Sequence, residues 1–330
     1  MKKLLILVLT VAMAALCFAG CGAANNDGGS AEAAAAPAGE LTFTTGGDQG
    51  TYYGFGSVLA GQVSGDTDTK VTAITSGGSQ ANVEAIQAGD AQIGFVQSDV
   101  LAYAYNGTNL FDGAPVTDIS VVAALYLEQV QIVTCDASIK TVADLKGKNV
   151  SIGAPGSGVY FNAIDILGVY GLTEEDIVPT YESFGDSADS LKDGKIDAAF
   201  VVAGAPTTAI TSLATSSPVY LISLDEEHIN TLIEKSPYYA KDVISKDAYG
   251  LDADVTTVAV GAVVIASDSV ADDDIYNFVS DIYENVDTIT AAHAKGAELD
   301  LEYATSVTTV PYHPGAAKYF AEKGYDVATK

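Results

Sequence analysis

Between residues 41 and 97 the chain twice runs from a β-rich segment through a glycine-rich turn into a helical pattern, then enters a third β-rich segment. Residues 41–45 (LTFTT) alternate like a strand, Gly46–Gly50 form a turn, and Thr51 is placed to cap a helix over 52–63. Val71–Thr75, Ser76–Ser79 and Gln80–Ala88 repeat the order; Gly89 and Asp90 end that helix and Ile93–Gln97 follows as a strand. Parallel strands cannot be joined by a tight hairpin and need a crossover, usually a helix. The order therefore predicts a parallel sheet covered by helices.

Ser98 and Asp99 open another helix. The β-rich segments Ile119–Leu127 and Val130–Thr134 then follow in tandem with no helix between them, as a crossing between domains would. A second series begins with a helical turn at Thr141–Leu145. It continues through a strand at Asn149–Gly153, the loop Ala154–Gly158, a helix over Tyr160–Tyr170 and a strand at Val178–Tyr181. A helix at Ala188–Lys192, a strand at Ile196–Val202, a helix from Pro206 and Thr207 to about Ala214, and a strand at Tyr220–Leu224 complete it. The long apolar run Thr256–Ala266 returns the chain to the first domain. Helices over Asp272–Glu284, Val286–Lys295 and near Ala316–Gly324 close it. The units share a pattern but no sequence period, which excludes a solenoid. The expected fold is α/β with two lobes, residues 40–128 with 258–330 and residues 129–257.

The N-terminus narrows the setting. Lys2, Lys3 and the apolar run Leu4–Leu16 precede Phe18-Ala19-Gly20-Cys21, the layout of a secretory signal (1–20) whose cleavage leaves a cysteine first. A lipid on Cys21 would anchor the chain at a cell membrane, facing the extracytoplasmic side. Residues 21–39 are small, polar and unpatterned, as a flexible tether is. Cys135 then has no internal disulfide partner.

The formal net charge is −28, a balance that repels nucleic acid and anionic headgroups. The chain contains no arginine, so an anionic ligand would meet no bidentate guanidinium clamp. Backbone N–H groups, hydroxyls, amides and a few lysines are the donors left.

Five stretches, in order, resemble the solute-binding receptors of TAXI-type TRAP transporters. They are TTGGDQGTYYGFG (44–56), TSGGSQANVEAIQAGDAQIGFVQSDVLAYAYNG (75–107), DLKGKNVSIGAPGSGVYFNAIDILGVYGLTEEDI (144–177), LKDGKIDAAFVVAGAPTTAI (191–210) and PYHPGAAKYFAEKG (311–324). The resemblance implies a periplasmic-binding-protein-like fold of type II, with a ligand cleft between lobes. It implies capture of a small carboxylate-bearing solute, glutamate-like or a dicarboxylate (a small organic acid or amino acid), and delivery to a TRAP permease in the membrane.

The candidate ligand residues lie on loops at the carboxyl edge of the expected sheets, where open α/β folds bind ligands. Gly46, Gly47, Thr51, Tyr52 and Tyr53 form the first loop, and Gly78, Ser79 and Asn82 the second, with Ser79 also suited to capping its helix. Gln97 and Ser98 form the third; Asp99 beside them would either accept from a ligand ammonium or cap the following helix. Gly156, Ser157, Gly158 and Tyr160 form the fourth, and Gly204 and Pro206, with Thr207, the fifth.

Enzyme signatures are missing. His228, His293 and His313 have no metal-ligand spacing, and neither HExxH nor GxSxG occurs. Val159 follows Gly158 where a Walker loop requires lysine, so no nucleotide cofactor is expected. The competing reading, a surface-anchored hydrolase of a small metabolite, would need a triad assembled from distant segments.

Overall fold

The computed structural model describes residues 39–330; the signal, Cys21 and nearly all of the tether lie outside the described residues. The strands are β1 (Glu40–Thr44), β2 (Lys70–Ile74), β3 (Ile93–Gln97), β4 (Ile119–Thr134), β5 (Asn149–Ser151), β6 (Val178–Thr180), β7 (Ala198–Ala203), β8 (Tyr220–Leu221), β9 (Ala240–Ile244) and β10 (Val255–Ser267). They form one sheet in the order β2-β1-β3-β10-β4-β7-β5-β6, with β8 beside β4 and β9 beside β10. Two parallel halves, β2-β1-β3 and β7-β5-β6, are joined by the long antiparallel pair β4 and β10.

The helices are α1 (Thr51–Asp66), α2 (Ser79–Ala88), α3 (Ser98–Asn106), α4 (Val159–Val169), α5 (Phe184–Lys192), α6 (Thr208–Ala214), α7 (Glu226–Lys235), α8 (Asp272–Glu284), α9 (Val286–Ala292), α10 (Leu301–Ala304) and α11 (Pro314–Glu322). Most crossovers in the parallel halves carry one of them, as the repeated sequence pattern predicts.

The two tandem β segments are one continuous strand. Glu128 and Gln129 interrupt the apolar run without breaking the ladder, because each finds a side-chain partner. Tyr52 Oη donates to Glu128, and Gln129 bonds Asp242 and the Ala205 N–H. The helix expected over Val286–Lys295 ends at Ala292, where His293 accepts from the Lys295 N–H and starts a 3-10 turn, Ala294–Glu298. Of the expected 220–224 strand only Tyr220–Leu221 is regular; the Ile222 and Leu224 N–H groups make single bonds to the Ile132 and Thr256 carbonyls. The helix α7, capped by Asp225, and the polar edge strand β9 are additions to the expected elements.

Two main apolar clusters flank the change-over in β4 and β10. One gathers Phe43, Phe55, Phe95, Tyr126, Phe278 and Phe320, with Phe43 and Phe95 stacked at 5.0 Å. The other gathers Val130, Ile132, Val150, Ile166, Phe200, Val258 and Val260. Burying each large side chain contributes about 1.5–3 kcal/mol. Strand β4 serves the first cluster up to Tyr126 and the second from Val130; β10 serves the second up to Val260 and the first from Ala262. Glu128 is paired with Val260 at that change-over.

Candidate functional site

The carboxyl ends of the strands in both parallel halves surround one cavity of about 70 Å³. Its wall is built from the starts of four helices. Gly50, Thr51 and Tyr52 come from α1, Gly78 and Ser79 from α2, Gly158 and Val159 from α4, and Ser183 and Phe184 from α5. First-turn N–H groups have no acceptor within their own helix, and each helix N-terminus carries partial positive charge. The remaining wall is Gly46, Gly47, Ser76, Gly77, Gln97, Glu128, Ala154, Ser157, Val202 and Ala203. Helix starts gathered on one wall favour an anionic or strongly electron-rich group there.

Glycine permits close approach at two points. Gly78 has φ 111°, a conformation that side-chain-bearing residues rarely adopt, and a Cβ there would stand 3.3 Å from Ser157 Cα. A Cβ on Gly158 would lie 1.6 Å from Gln97 Oε1. Gln97 thus fills the space that a side chain at 158 would take.

Tyr52 lies flat on Phe95, with ring centroids 4.5 Å apart and planes within 5°. Its hydroxyl donates to Glu128 Oε2 at 2.6 Å. Both side chains are buried. Burial is the main cause that pushes the Glu128 carboxyl up to about 8; the Tyr52 hydrogen bond and the charge of Lys295 act against it.

Gln97 ties the cavity to a second polar cluster. Its backbone N–H donates to Ser79 Oγ at 3.1 Å and its Nε2 to Asn162 Oδ1 at 3.0 Å. Asn162 Nδ2 in turn donates to Asp99 Oδ2 at 2.9 Å and Tyr239 Oη at 2.8 Å, and Tyr239 donates to Asp165 Oδ2 at 3.0 Å. Burial pushes the Asp99 carboxyl up to about 7. Gln97 Oε1 and Ser157 Oγ are buried beside the cavity without a protein partner.

Of the residues expected from the sequence, Gly46, Gly47, Thr51, Tyr52, Gly78, Ser79, Gln97, Ser157 and Gly158 line the cavity. The others are engaged elsewhere. Asn82 bonds Thr44 Oγ1 and the carbonyls of Thr45 and Phe95, clamping β1 to β3. Ser98 Oγ accepts from the Gly261 N–H, the Gly156 carbonyl accepts from Ala81, and Tyr160 Oη donates to Glu174. Gly204 offers its carbonyl to Thr51 Oγ1 at 2.9 Å, and Pro206 follows a cis peptide beyond the wall. Tyr53, next to Tyr52 on α1, lies outside the wall, since consecutive helix residues point about 100° apart.

Two capping assignments change. Gly50 and Gly78, not Thr51 and Ser79, occupy the N-cap positions of α1 and α2, which leaves the two hydroxyls free for other bonds. Gln97 occupies that position for α3, and the Asp99 carboxylate faces Asn162.

Glu128, Ser183, Phe184 and Val159 are wall residues the candidate set lacks. For Glu128 a signal existed: it is the one acid in the apolar run 119–134. Phe184 gave none, because an aromatic at a helix start reads as core.

Among the described residues, no cluster of three or more His, Cys, Asp or Glu side chains is placed to hold a metal ion. No helix among them is long and apolar enough to cross a membrane.

The fold is shared widely. A solved structure from Bordetella bronchiseptica RB50 is 17% identical, with TM-score 0.53, covering 86% of this chain and 89% of that one. The alkanesulfonate-binding protein SsuA from Xanthomonas axonopodis pv. citri, bound to MOPS, is 17% identical, with TM-score 0.49, over 88% of this chain and 92% of its own. An ancestral arginine-binding protein bound to arginine is 14% identical, with TM-score 0.49, over 78% and 97%. The architecture, an α/β fold whose parallel strands are flanked by helices, is the fold class expected from the sequence. Residues 43–324 match the sequence profile of the NMT1-like family, and the chain belongs to that family.

Proposed function

We propose that the chain is an extracytoplasmic solute-binding protein of a transport system, not an enzyme, and that it encloses one small organic anion between two lobes. The observation that carries this reading is the meeting of four helix N-termini on one cavity whose wall has no cationic side chain. Each helix start contributes about 0.3–2 kcal/mol toward an anion. Each charge-assisted hydrogen bond contributes about 1.5–3 kcal/mol. Four such starts supply enough, after ordering costs, for micromolar capture at about −8 kcal/mol.

The lobes are residues 40–128 with 258–330 and residues 129–257, with β4 and β10 as the connection between them. Hinge closure about that pair buries the solute and forms the surface a permease reads. The carboxylate class, the TAXI-type TRAP permease as partner and the lipid anchor on Cys21 complete the proposal; the sequence resemblance and the signal layout support them.

Thermal melting of the purified full-length protein against succinate, 2-oxoglutarate, L-glutamate and related acids tests the reading. At least one acid raises the melting temperature in a saturable way. A cooperative melt that no small acid shifts contradicts it.

A further inference from the structure

Glu128 presents a problem for any anion site. It is 2% exposed, lies in the wall, and is the only acid there. An ionised carboxylate at that point would occupy the field of the helix starts and repel the solute they gather.

Its surroundings resolve the conflict. From α1, Tyr52 Oη donates to Oε2 and fixes the carboxyl plane. From β4, Tyr126 packs with its hydroxyl buried and unpartnered. From the 3-10 turn, Lys295 acts on Glu128 but bonds Glu298 and lies over the Tyr126 ring. From α3, the Asp99 carboxyl adds repulsion, and from α10 the Tyr303 hydroxyl feels the Glu128 charge while donating to the Tyr126 carbonyl at 3.3 Å. The groups around Glu128 therefore include one cation already paired elsewhere, one further acid and three tyrosine hydroxyls. Oε1 has no hydrogen-bond partner among the described residues and belongs to a residue of the cavity wall.

We propose that Glu128 sets the charge selectivity of the solute site: it serves as the carboxylic acid, donates through Oε1 to the anionic group held at the helix starts, and so ties capture to one proton. The proposal rests on the solute-site reading above and deepens it. Burial and the neighbouring acid both favour the protonated form, which persists to about pH 8. Retention of the proton turns the one repulsive group in the wall into a donor. Two consequences follow. The site takes a solute with no ammonium group, and affinity for it falls as pH rises above about 8, by about tenfold per unit.

Calorimetric titration of the full-length wild type and Glu128→Gln between pH 6 and 9.5 tests this. The probes are succinate and 2-oxoglutarate, which lack an ammonium group, beside L-glutamate, which has one. Glutamine keeps an acceptor for Tyr52 and an N–H donor for the solute, but cannot ionise. The expected result is wild-type affinity that drops above about pH 8 with proton uptake seen by changing buffer ionisation enthalpy. Glu128→Gln loses the fall above about pH 8, its binding staying flat from pH 6 to high pH. Loss of binding in a Glu128→Gln protein that still melts cooperatively overturns the proposal. So does wild-type affinity that is flat or rises with pH, since Glu128 would then be serving as an ionised acceptor. Failure of all three probes to bind the wild type at any pH instead overturns the underlying solute-site reading, and this proposal with it.

Discussion

Gln97 Nε2 donates to Asn162 Oδ1 at 3.0 Å, and both side chains are buried. Gln97 ends β3 in one parallel half of the sheet, while Asn162 lies in α4, which covers the other. The same Gln97 side chain lines the cavity. A solute that ordered Gln97 would therefore also order one of the side-chain bonds between the two halves.

Removal of Asn162 strands several partners at once. Asn162→Ala leaves Gln97 Nε2 and Asp99 Oδ2 buried without their shared amide. The expected loss is about 1–3 kcal/mol of folding stability, read from urea melts, with a weaker response to solute. Asn162→Asp places a second carboxyl beside Asp99, so its destabilisation is greater at pH 8 than at pH 5.

The pH dependence has a definite sign. Burial raises Asp99 to about 7 and Glu128 to about 8 in the native state. Unfolded carboxyls ionise near pH 4, so across the interval up to about 8 the native state holds more protons than the unfolded one. These two groups stabilise fully at low pH, and their contribution is lost as pH rises through 7 and 8. His293 and His313, lowered by burial, act oppositely on the acid side. Difference curves isolate the acids: Asp99→Asn flattens the decline up to about pH 7, and Glu128→Gln the part up to about pH 8. Melts from pH 5 to 9 check this, and parallel curves for wild type and variants contradict it.

Much of the fold was legible because strand–turn–helix repeats leave a local signature, and glycine-rich loops at strand ends mark the ligand edge. Nine expected wall residues reach the cavity for that reason. Asn82, Ser98 and Tyr160 do not, since sequence position on a loop leaves open whether a polar side chain faces a cavity or its own scaffold. Glu128 and Gln129 split one strand into two apparent segments, because their partners, Tyr52 and Asp242, are remote in sequence. The strand β9 carries Lys241 and Asp242 and pairs only with β10, so its edge position left no apolar alternation to read.

Asn82 separates structure from recognition. It makes three buried hydrogen bonds and lies outside the cavity wall. Asn82→Ala is expected to lower stability by about 1–3 kcal/mol, while the folded fraction keeps its solute affinity. Denaturant melts beside calorimetry at low temperature distinguish the two effects.

Enclosure of one small anion beside Gly158 and Gln97 is the central physical claim, and native mass spectrometry of the wild-type and Gly158→Val chains incubated with the same acids tests it most directly. A Cβ at 158 would meet Gln97 Oε1 at 1.6 Å, and valine adds two further methyl groups. The expected spectra show a one-to-one small-molecule adduct on the wild type and none on a cooperatively folded variant. A variant that retains the adduct, or a wild type that never forms one, contradicts the claim.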